Sequence, residues 1–264
     1  MKRDSSWWAL EIERIQFNRR AAWEGKEEHC IELGNALLKI EAGFGSVIRL
    51  RLPDVEREKC LDRLIEHVEG SVHSSGWFIG PGIQPADLEQ LLLKRGFVPL
   101  FEWDGLLLED LGGEMATNPD VEIEPLSWDN ADEYATHCTE VTDPQFHAYL
   151  FASAQRFCAQ PHREVEIFVA RLHGHVAGYA VLRLEPNGVA YLGDAMTVPT
   201  FRKRGVYSSL VAHRLKVARA GGCLAAVTLA QRSTSAPILV RHGFTVVSRM
   251  IALTRKRAPS PAQM

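Results

Sequence analysis

The chain has 264 residues, of which 46% are hydrophobic and 24% charged, a composition typical of a globular protein with one large or two small domains. Its formal net charge of −3 argues against a nucleic-acid partner, and no apolar run reaches the roughly 20 residues of a membrane-spanning helix. The first residues lack a signal-peptide pattern, and the five cysteines, without a CxxC pair, indicate reduced thiols. We therefore expect a cytoplasmic protein with no metal site, no nucleic-acid partner and no membrane partner.

The first part of the chain ends at a stretch of small and turn-forming residues near 111–119, which predicts a linker. Before this linker, the pattern of apolar residues predicts two strand–helix pairs followed by a final strand. The predicted elements are a strand over Val47–Leu52, a helix over Pro53–Glu69, a strand over Trp77–Ile79, a helix that ends at Gly96-Phe97 and a strand over Val98–Leu108.

The second part opens with helical segments and continues as a three-stranded meander with glycine-containing turns. The predicted helices span Trp128–Thr139 and Pro144–Ala159, and the strands span 165–171, 176–184 and 189–198, with turns at His173-Gly174 and Asn187-Gly188. A loop over 200–206 then leads to a helix over Tyr207–Ala220, a strand over Leu224–Leu229, a helix over Ser235–His242 and a strand over Thr245–Leu253. From the meander onward, the order is β-β-β-α-β-α-β.

The two parts share the end of this pattern. The segment Leu91–Phe97 aligns without a gap on Ile238–Phe244, and the strands and helices around both segments follow in the same order. A glycine and a phenylalanine after a helix also form a common helix end, so the short match alone is weak. The shared order of elements favours an internal duplication in an α+β protein.

The loop after the meander has the form of a phosphate-binding site, with the sequence Val198-Pro199-Thr200-Phe201-Arg202-Lys203-Arg204-Gly205-Val206-Tyr207. A helix that begins after a glycine-bearing loop presents unpaired N–H groups and the positive end of its dipole to an anion. Three consecutive cations add charge of the same sign. Taken alone, a basic solvated turn that opens an ordinary helix explains the loop equally well.

The stretch from Val165 to Leu253 resembles the GCN5-related N-acetyltransferase (GNAT) family, which carries Arg/Gln-x-x-Gly-x-Gly/Ala between its fourth strand and third helix. Arg202 and Gly205 match this motif at the right spacing, and the Val198-Pro199 lead-in, Gly178 and the closing Arg-His-Gly-Phe also fit. The resemblance implies a GNAT fold with a mixed, mostly antiparallel central sheet flanked by helices. With the duplication, it implies two tandem GNAT-like halves, which we place at 1–115 and 120–264.

The same resemblance implies that the fourth strand diverges from the fifth and that the pantetheine arm of acetyl-coenzyme A lies in the gap. An N–H group of the main chain there would polarise the acetyl carbonyl. The expected coenzyme contacts are Met196, Thr197, Val198, Arg202, Lys203, Arg204, Gly205, Val206, Tyr207 and Ser208. Acetyl-coenzyme A is thus the expected co-substrate.

Catalytic assignments are less direct. Asp194 is the carboxylate near the end of the strand before the loop, and it is our candidate general base, although a water-facing strand residue has the same pattern. Ser233 is a second candidate, because it follows the fifth strand with Thr234 and Ser235, where the family contacts pantetheine or the leaving thiol; Ser235 also suits a helix N-cap.

Two residues depart from the family pattern. Tyr207 replaces the final Gly/Ala of the loop, and Leu239 stands where many members carry the tyrosine that protonates the thiolate. The acid must therefore come from another residue or from solvent.

The first part lacks the phosphate loop. Its aligned segment, 51–60, contains no glycine and three acids, which predicts that this half has lost its coenzyme site. Such a half would act as a structural partner or help to form the acceptor site. Trp77, Phe78 and Trp103 could line an acceptor pocket, although core packing is the interpretation we favour for them.

These observations predict an N-acetyltransferase in which a neutral primary amine, on a small molecule or a peptide, attacks the thioester of acetyl-coenzyme A directly. A non-catalytic acyl-coenzyme A-binding or regulatory module is the alternative, because Leu239 removes the usual acid. A duplicated aminoacyl transferase that uses charged tRNA is a third, which the lack of a broad basic surface disfavours. The sequence leaves a homodimer open.

Overall fold

The computed structural model describes residues 3–17, 29–33, 36–41, 44–138, 154–155, 157–159 and 165–255. The predicted helix over Pro144–Ala159 lies mostly outside these residues. Within the described part of the chain, no helix is both long enough and apolar enough to cross a membrane.

Both parts of the chain contain strands and helices. The helices are α1 (Ser5–Phe17), α2 (Arg57–Ser71), α3 (Leu88–Leu93), α4 (Ala131–Cys138), α5 (Val206–Ala220) and α6 (Ser235–Arg241). The strands are β1 (His29–Glu32), β2 (Leu37–Glu41), β3 (Phe44–Ile48), β4 (Ser74–Ile79), β5 (Val98–Leu108), β6 (Val121–Pro125), β7 (Val165–Leu172), β8 (His175–Leu184), β9 (Val189–Thr197), β10 (Ala225–Gln231) and β11 (Thr245–Thr254).

All of these strands join one continuous mixed sheet in the order β1-β2-β3-β4-β11-β5-β10-β9-β8-β7-β6. The pairs β3–β4 and β9–β10 are parallel, and the others are antiparallel. The last strand of each part lies against the other part: β11 pairs with β4, and β5 pairs with β10. The two parts therefore complete each other's sheet.

The pairing of β5 with β11 is nearly symmetric. Thr245 lies opposite Leu107, and Val98 lies opposite Thr254, so the start of each strand faces the end of the other. Because Gly96-Phe97 and Gly243-Phe244 precede the two strands at equivalent positions, this ladder relates the halves by an approximate two-fold rotation. The predicted duplication in the order of elements is thus visible in the topology.

Hydrophobic cores cover both faces of the sheet. On one face, α5 and α6 pack on the C-terminal strands, and α2 and α3 pack on the N-terminal strands. On the other face, α1 lies over the middle of the sheet and α4 over β7 and β8. Burial of these apolar stripes is the main force that holds the layers together.

From the meander onward, the predicted order of elements is confirmed, with boundaries that differ by one or two residues, and the helix predicted over Trp128–Thr139 is present as α4. In the first part, the strand predicted at Val47–Leu52 is wrong beyond Ile48, because Arg49 adopts a left-handed conformation (φ 54°) that ends β3. The helix predicted from Pro53 starts only at Arg57. α1, β1, β2 and β6 were not predicted from the sequence.

Candidate functional site

A cleft of about 980 Å³ opens where β9 and β10 separate. Their parallel ladder joins only Val189–Tyr191 to Ala225–Val227. One residue further along, the ladder ends. There the side-chain hydroxyl of Thr228, rather than a main-chain N–H, donates a hydrogen bond of 2.6 Å to the carbonyl oxygen of Leu192. The expected divergence of these two strands is therefore present, and it leaves main-chain groups of β9 facing an open gap.

A bulge in β9 shapes the floor of this gap. Ala180 lies opposite Ala195 and Leu182 opposite Leu192, so two residues, Gly193 and Asp194, face only one on β8. Such a bulge leaves ladder carbonyls unpaired, and a buried arginine satisfies two of them.

This arginine is Arg214 on α5, which is 1% exposed. Its Nη1 donates to the carbonyl oxygens of Val181 (2.9 Å) and Gly193 (3.1 Å), and its Nε donates to Leu210. Burial lowers the pKa of the Arg214 guanidinium to about 10, although Tyr207 and Asp194 favour its charge. Arg214 was missed from the sequence, where the available signal was a cation on the apolar stripe of a predicted helix.

The loop before α5 has the geometry of an anion site. Gly205 adopts φ 78° as the residue before α5, and the Ser209 N–H donates to its carbonyl oxygen at 2.9 Å. The N–H groups of the first turn, at 206–208, have no acceptor within the helix and lie at the positive end of its dipole. The side chain of Asn118 fixes the loop, because its Nδ2 donates to the carbonyl oxygen of Arg204.

The predicted coenzyme residues lie mostly together. The cleft is lined by Asp194, Met196, Thr197, Arg202, Lys203, Gly205, Val206, Tyr207 and Ser208. Arg241 and His242 lie at the same end as Arg202 and Lys203, and the Ser208 hydroxyl is 3.4 Å from the His242 Nε2. This end of the cleft is therefore cationic.

Three of the predicted residues do not line the cleft. Val198 is 2% exposed and packs inside, and the exposed guanidinium of Arg204 lies over the ring of Phe201, at 5.8 Å from its centroid. Ser233 lies in the exposed turn after β10, whereas its neighbours Thr234 and Ser235 face the cleft. Ser233 belongs to the exposed turn, because α6 begins only at Ser235.

Tyr207 points into the cleft. Burial raises the pKa of its phenol, partly offset by the charge of Arg214 and by a hydrogen bond with Ser235 at the start of α6. Leu239, by contrast, is 1% exposed and packs in the core. Tyr207 therefore brings a hydroxyl to the lining of this gap, where Leu239 contributes only apolar surface.

Residues of the first part also reach the cleft. Phe78 and Trp103 line it, together with Gln16, which accepts a hydrogen bond from the Tyr191 hydroxyl. Core packing, the interpretation favoured for Phe78 and Trp103, is wrong for both, because strand exchange places β5 beside β10 and β4 on the other side of β11. Trp77, 2% exposed, does pack in the core as expected.

The corresponding gap in the first part is filled. After the parallel β3–β4 ladder, Gln84 forms main-chain hydrogen bonds with Leu50 and Leu52, at 3.1 and 3.0 Å. The buried carboxylate of Glu13 enters the same region and accepts a 2.6 Å hydrogen bond from the Gly82 N–H. These contacts occupy the space that stays open in the second part.

The described residues contain no group of three or more His, Cys, Asp or Glu side chains placed to hold a metal ion. Among these residues, Cys223 is a buried free thiol. Burial raises the pKa of Cys223, which favours its thiol form.

Comparison with known proteins identifies related folds. Residues 127–244 match the family model described as Acetyltransferase (GNAT) family. No curated protein is detectably similar in sequence.

Several solved structures share the fold over nearly the whole chain. A GCN5-related N-acetyltransferase from Kribbella flavida has 13% identity and a TM-score of 0.65, and the match covers 94% of this chain and 96% of that protein. A tandem GNAT protein from the clavulanic acid biosynthesis pathway has 14% identity and a TM-score of 0.61, with 97% and 95% covered. A GCN5-related N-acetyltransferase from Sphaerobacter thermophilus has 15% identity and a TM-score of 0.62, with 88% and 82% covered.

Proposed function

We propose that the chain is an N-acetyltransferase that moves an acetyl group from acetyl-coenzyme A to a primary amine. The observation that carries this proposal is the gap between β9 and β10, which ends at the glycine loop and the N-terminus of α5. Main-chain groups of β9 line this gap, and a positively charged site for an anion lies where the gap ends. The gap therefore suits a long ligand that carries a phosphate at one end.

In this proposal, the first-turn N–H groups of α5 bind the pyrophosphate, and Arg202 and Lys203 add charge. The pantetheine arm lies along Met196 and Thr197. The hydroxyl of Thr197 is buried and has no hydrogen-bond partner among the described residues, so a ligand in the gap would satisfy it. Val198 then contributes through its main chain alone, because its side chain is buried.

The proposed chemistry is a direct displacement. The amine nitrogen forms a bond to the acetyl carbon, the carbon–sulfur bond breaks, and the coenzyme leaves as a thiolate. Asp194, exposed on the β9 bulge and lining the cleft, accepts the ammonium proton directly or through one water. The phenol of Tyr207, which burial keeps protonated, gives a proton to the thiolate in place of the absent tyrosine at Leu239.

The two parts of the chain have different roles in this proposal. The second part, which we place at 120–264, binds acetyl-coenzyme A. The first part, at 1–115, is a GNAT-like half that has lost its coenzyme site, because the Gln84 segment and Glu13 fill its gap.

Calorimetric titration with acetyl-coenzyme A tests the binding site. Replacing both Arg202 and Lys203 by alanine should weaken binding about tenfold or more, since each cation at a phosphate contributes a charge-assisted contact. The matched control replaces Lys216 and Arg219, which are exposed on α5 outside the cleft. Equal losses in both double variants, or no binding by the parent, would refute the proposal.

A non-catalytic acyl-coenzyme A-binding module is the second candidate, and the buried Leu239 at the usual acid position favours it. The two candidates differ in turnover. Release of free thiol with any member of a broad amine panel establishes catalysis, whereas tight binding without thiol release supports the module.

A further inference from the structure

Aromatic side chains from the first part form one wall of the cleft. Trp103 lies directly opposite Gln231, the last residue of β10 in its ladder with β5. Strand pairing thus places the indole at the point where β10 leaves the sheet and where the gap to β9 is open.

The wall extends across β11. Phe78 and Phe101 both lie opposite Ala252, one on each side of it, so all three share a face of the sheet. Because Ala252 carries only a methyl group, the Phe78 ring can reach across the strand. It stacks on Trp103 with ring centroids 5.9 Å apart and an interplanar angle of 18°. Phe101 extends the surface, at 5.5 Å from Trp103, and is 46% exposed.

The charged side chains that line the cleft are mostly cations. Arg202, Lys203 and Arg241 lie at the loop end. Among the described residues that line the cleft, Asp194 is the only carboxylate. A ligand with several ammonium groups would therefore find a single carboxylate as counter-charge.

From this arrangement we infer that the acceptor is a monoamine carried on a flat aromatic body, an arylalkylamine. The inference rests on the proposed function and names its acceptor class. The aromatic body stacks on Trp103 and Phe78, which bury its apolar faces. The single amino group extends toward Asp194, and its protonated form is also attracted to the faces of the aromatic wall before deprotonation.

Polyamines and aminoglycosides fit this site less well. Their amines are spread over a polar chain or ring system, and each charge that the cleft shields from water requires a polar partner. The aromatic wall offers such groups no hydrogen-bond acceptors. Specificity for the arylalkylamine then comes from buried aromatic area together with the lack of further carboxylates.

The test compares acceptors with the full-length chain and acetyl-coenzyme A, following thiol release. The panel contains phenethylamine, tryptamine, spermidine and kanamycin. We expect kcat/KM for the two arylalkylamines to exceed that for spermidine and kanamycin by about tenfold or more, the effect of burying one aromatic ring. Preference for spermidine or kanamycin, or binding of acetyl-coenzyme A without turnover of any arylalkylamine, would overturn the inference.

Variants of Trp103 test whether the aromatic wall binds the acceptor. Trp103→Ala should raise KM for tryptamine about tenfold and leave the affinity for acetyl-coenzyme A unchanged, whereas Trp103→Phe should retain most of the parental KM. Trp128→Ala is the matched control, since Trp128 is 58% exposed and lies outside the cleft. If Trp103→Ala leaves the KM for tryptamine unchanged, the aromatic wall is not part of the acceptor site. If the unmodified chain does not bind acetyl-coenzyme A, the proposed function itself is refuted, which is a separate outcome.

Discussion

Glu56 and Gly205 occupy equivalent positions in the two parts of the chain. Each adopts a left-handed conformation, with φ 56° and 78°, directly before a helix of 15 residues. In each, the carbonyl oxygen accepts a 2.9 Å hydrogen bond from the residue four positions later, Cys60 or Ser209. The two loops thus share their backbone geometry but differ in residue type, and the first part has a carboxylate-bearing residue where the second part has the glycine of its candidate anion site.

Gly205→Asp should abolish binding of acetyl-coenzyme A in calorimetry. The substitution introduces an acid, as at Glu56, directly before the first turn of α5, where its negative charge repels a phosphate. Its Cβ would also lie 2.9 Å from that of Asn118. Gly222→Ala is the control, because Gly222 has a similar φ of 80° but an open environment. We expect that control to lose about 1–2 kcal/mol of stability and to keep its affinity. Parental affinity in a folded Gly205→Asp variant would contradict the assignment.

Asp194→Asn should lower kcat about a hundredfold or more, because general-base catalysis typically contributes that much, while acetyl-coenzyme A affinity stays unchanged. The loss should shrink as the pH rises, since more of the acceptor amine then arrives deprotonated. Steady-state rates between pH 7 and about 9.5 measure both effects, with Glu122→Gln on the exposed surface of β6 as a control. A near-parental rate at neutral pH would show that Asp194 is only a solvated strand residue.

Tyr207→Phe removes one hydroxyl and keeps the ring that lines the gap. If the phenol protonates the thiolate, kcat should fall about tenfold to a hundredfold, with little change in acetyl-coenzyme A affinity. Burial raises the pKa of Tyr207, so the parental phenol stays a proton donor at pH 10 and its contribution should persist there. An unchanged kcat, or a loss confined to coenzyme affinity, would assign Tyr207 to binding alone.

Glu11 and Glu13 on α1 should give opposite pH dependences of stability. Burial raises the pKa of Glu13 above 4.5 despite the Gly82 hydrogen bond, so the folded state holds this proton more tightly than the unfolded state. The contribution of Glu13 to stability is therefore present below pH 4.5 and is lost as the pH rises through the folded-state pKa. Glu13→Gln should consequently stabilise the protein at pH 8 and less so near pH 4.5.

For Glu11, burial also raises the pKa, but hydrogen bonds from Arg14 and Asn187 outweigh it and the pKa is lowered. Glu11→Gln should therefore destabilise the protein at neutral pH, and the difference should shrink as the pH falls below 4.5. Urea unfolding of both variants across this range measures these effects. If both variants change the free energy of unfolding in the same direction at neutral pH, the environments assigned to the two carboxylates are contradicted.

Separating the two parts should prevent either from folding as a stable monomer. Each fragment, 1–115 or 120–264, would lose the partner strand that closes its sheet, since β11 lies between β4 and β5 and unpaired strand edges are prone to association. Co-expression should instead yield a 1:1 complex by size-exclusion chromatography. A folded monomeric fragment would show that the strand exchange is dispensable.

Local sequence determined much of the second part. The alternating apolar residues of β7 and β8, and the turns at His173-Gly174 and Asn187-Gly188, were sufficient because both signals act within a few residues. The glycine loop before α5 was also evident from sequence, since only local residues build a helix N-terminus. By contrast, α1 was missed: its apolar face becomes a signal only when it packs against β10 and β11.

The composition of the cleft was decided by tertiary structure. Trp103 and Phe78 are far in sequence from Asp194, and their position depends on which strand pairs with β10, a choice that no local pattern records. The role of Arg214 likewise depends on the carbonyls that the β9 bulge leaves unpaired. The sequence by itself determined the elements from β7 onward and the anion loop, because these follow from short-range propensity. Only the packed sheet decided that both parts share one site, because strand exchange is a contact between residues more than a hundred positions apart.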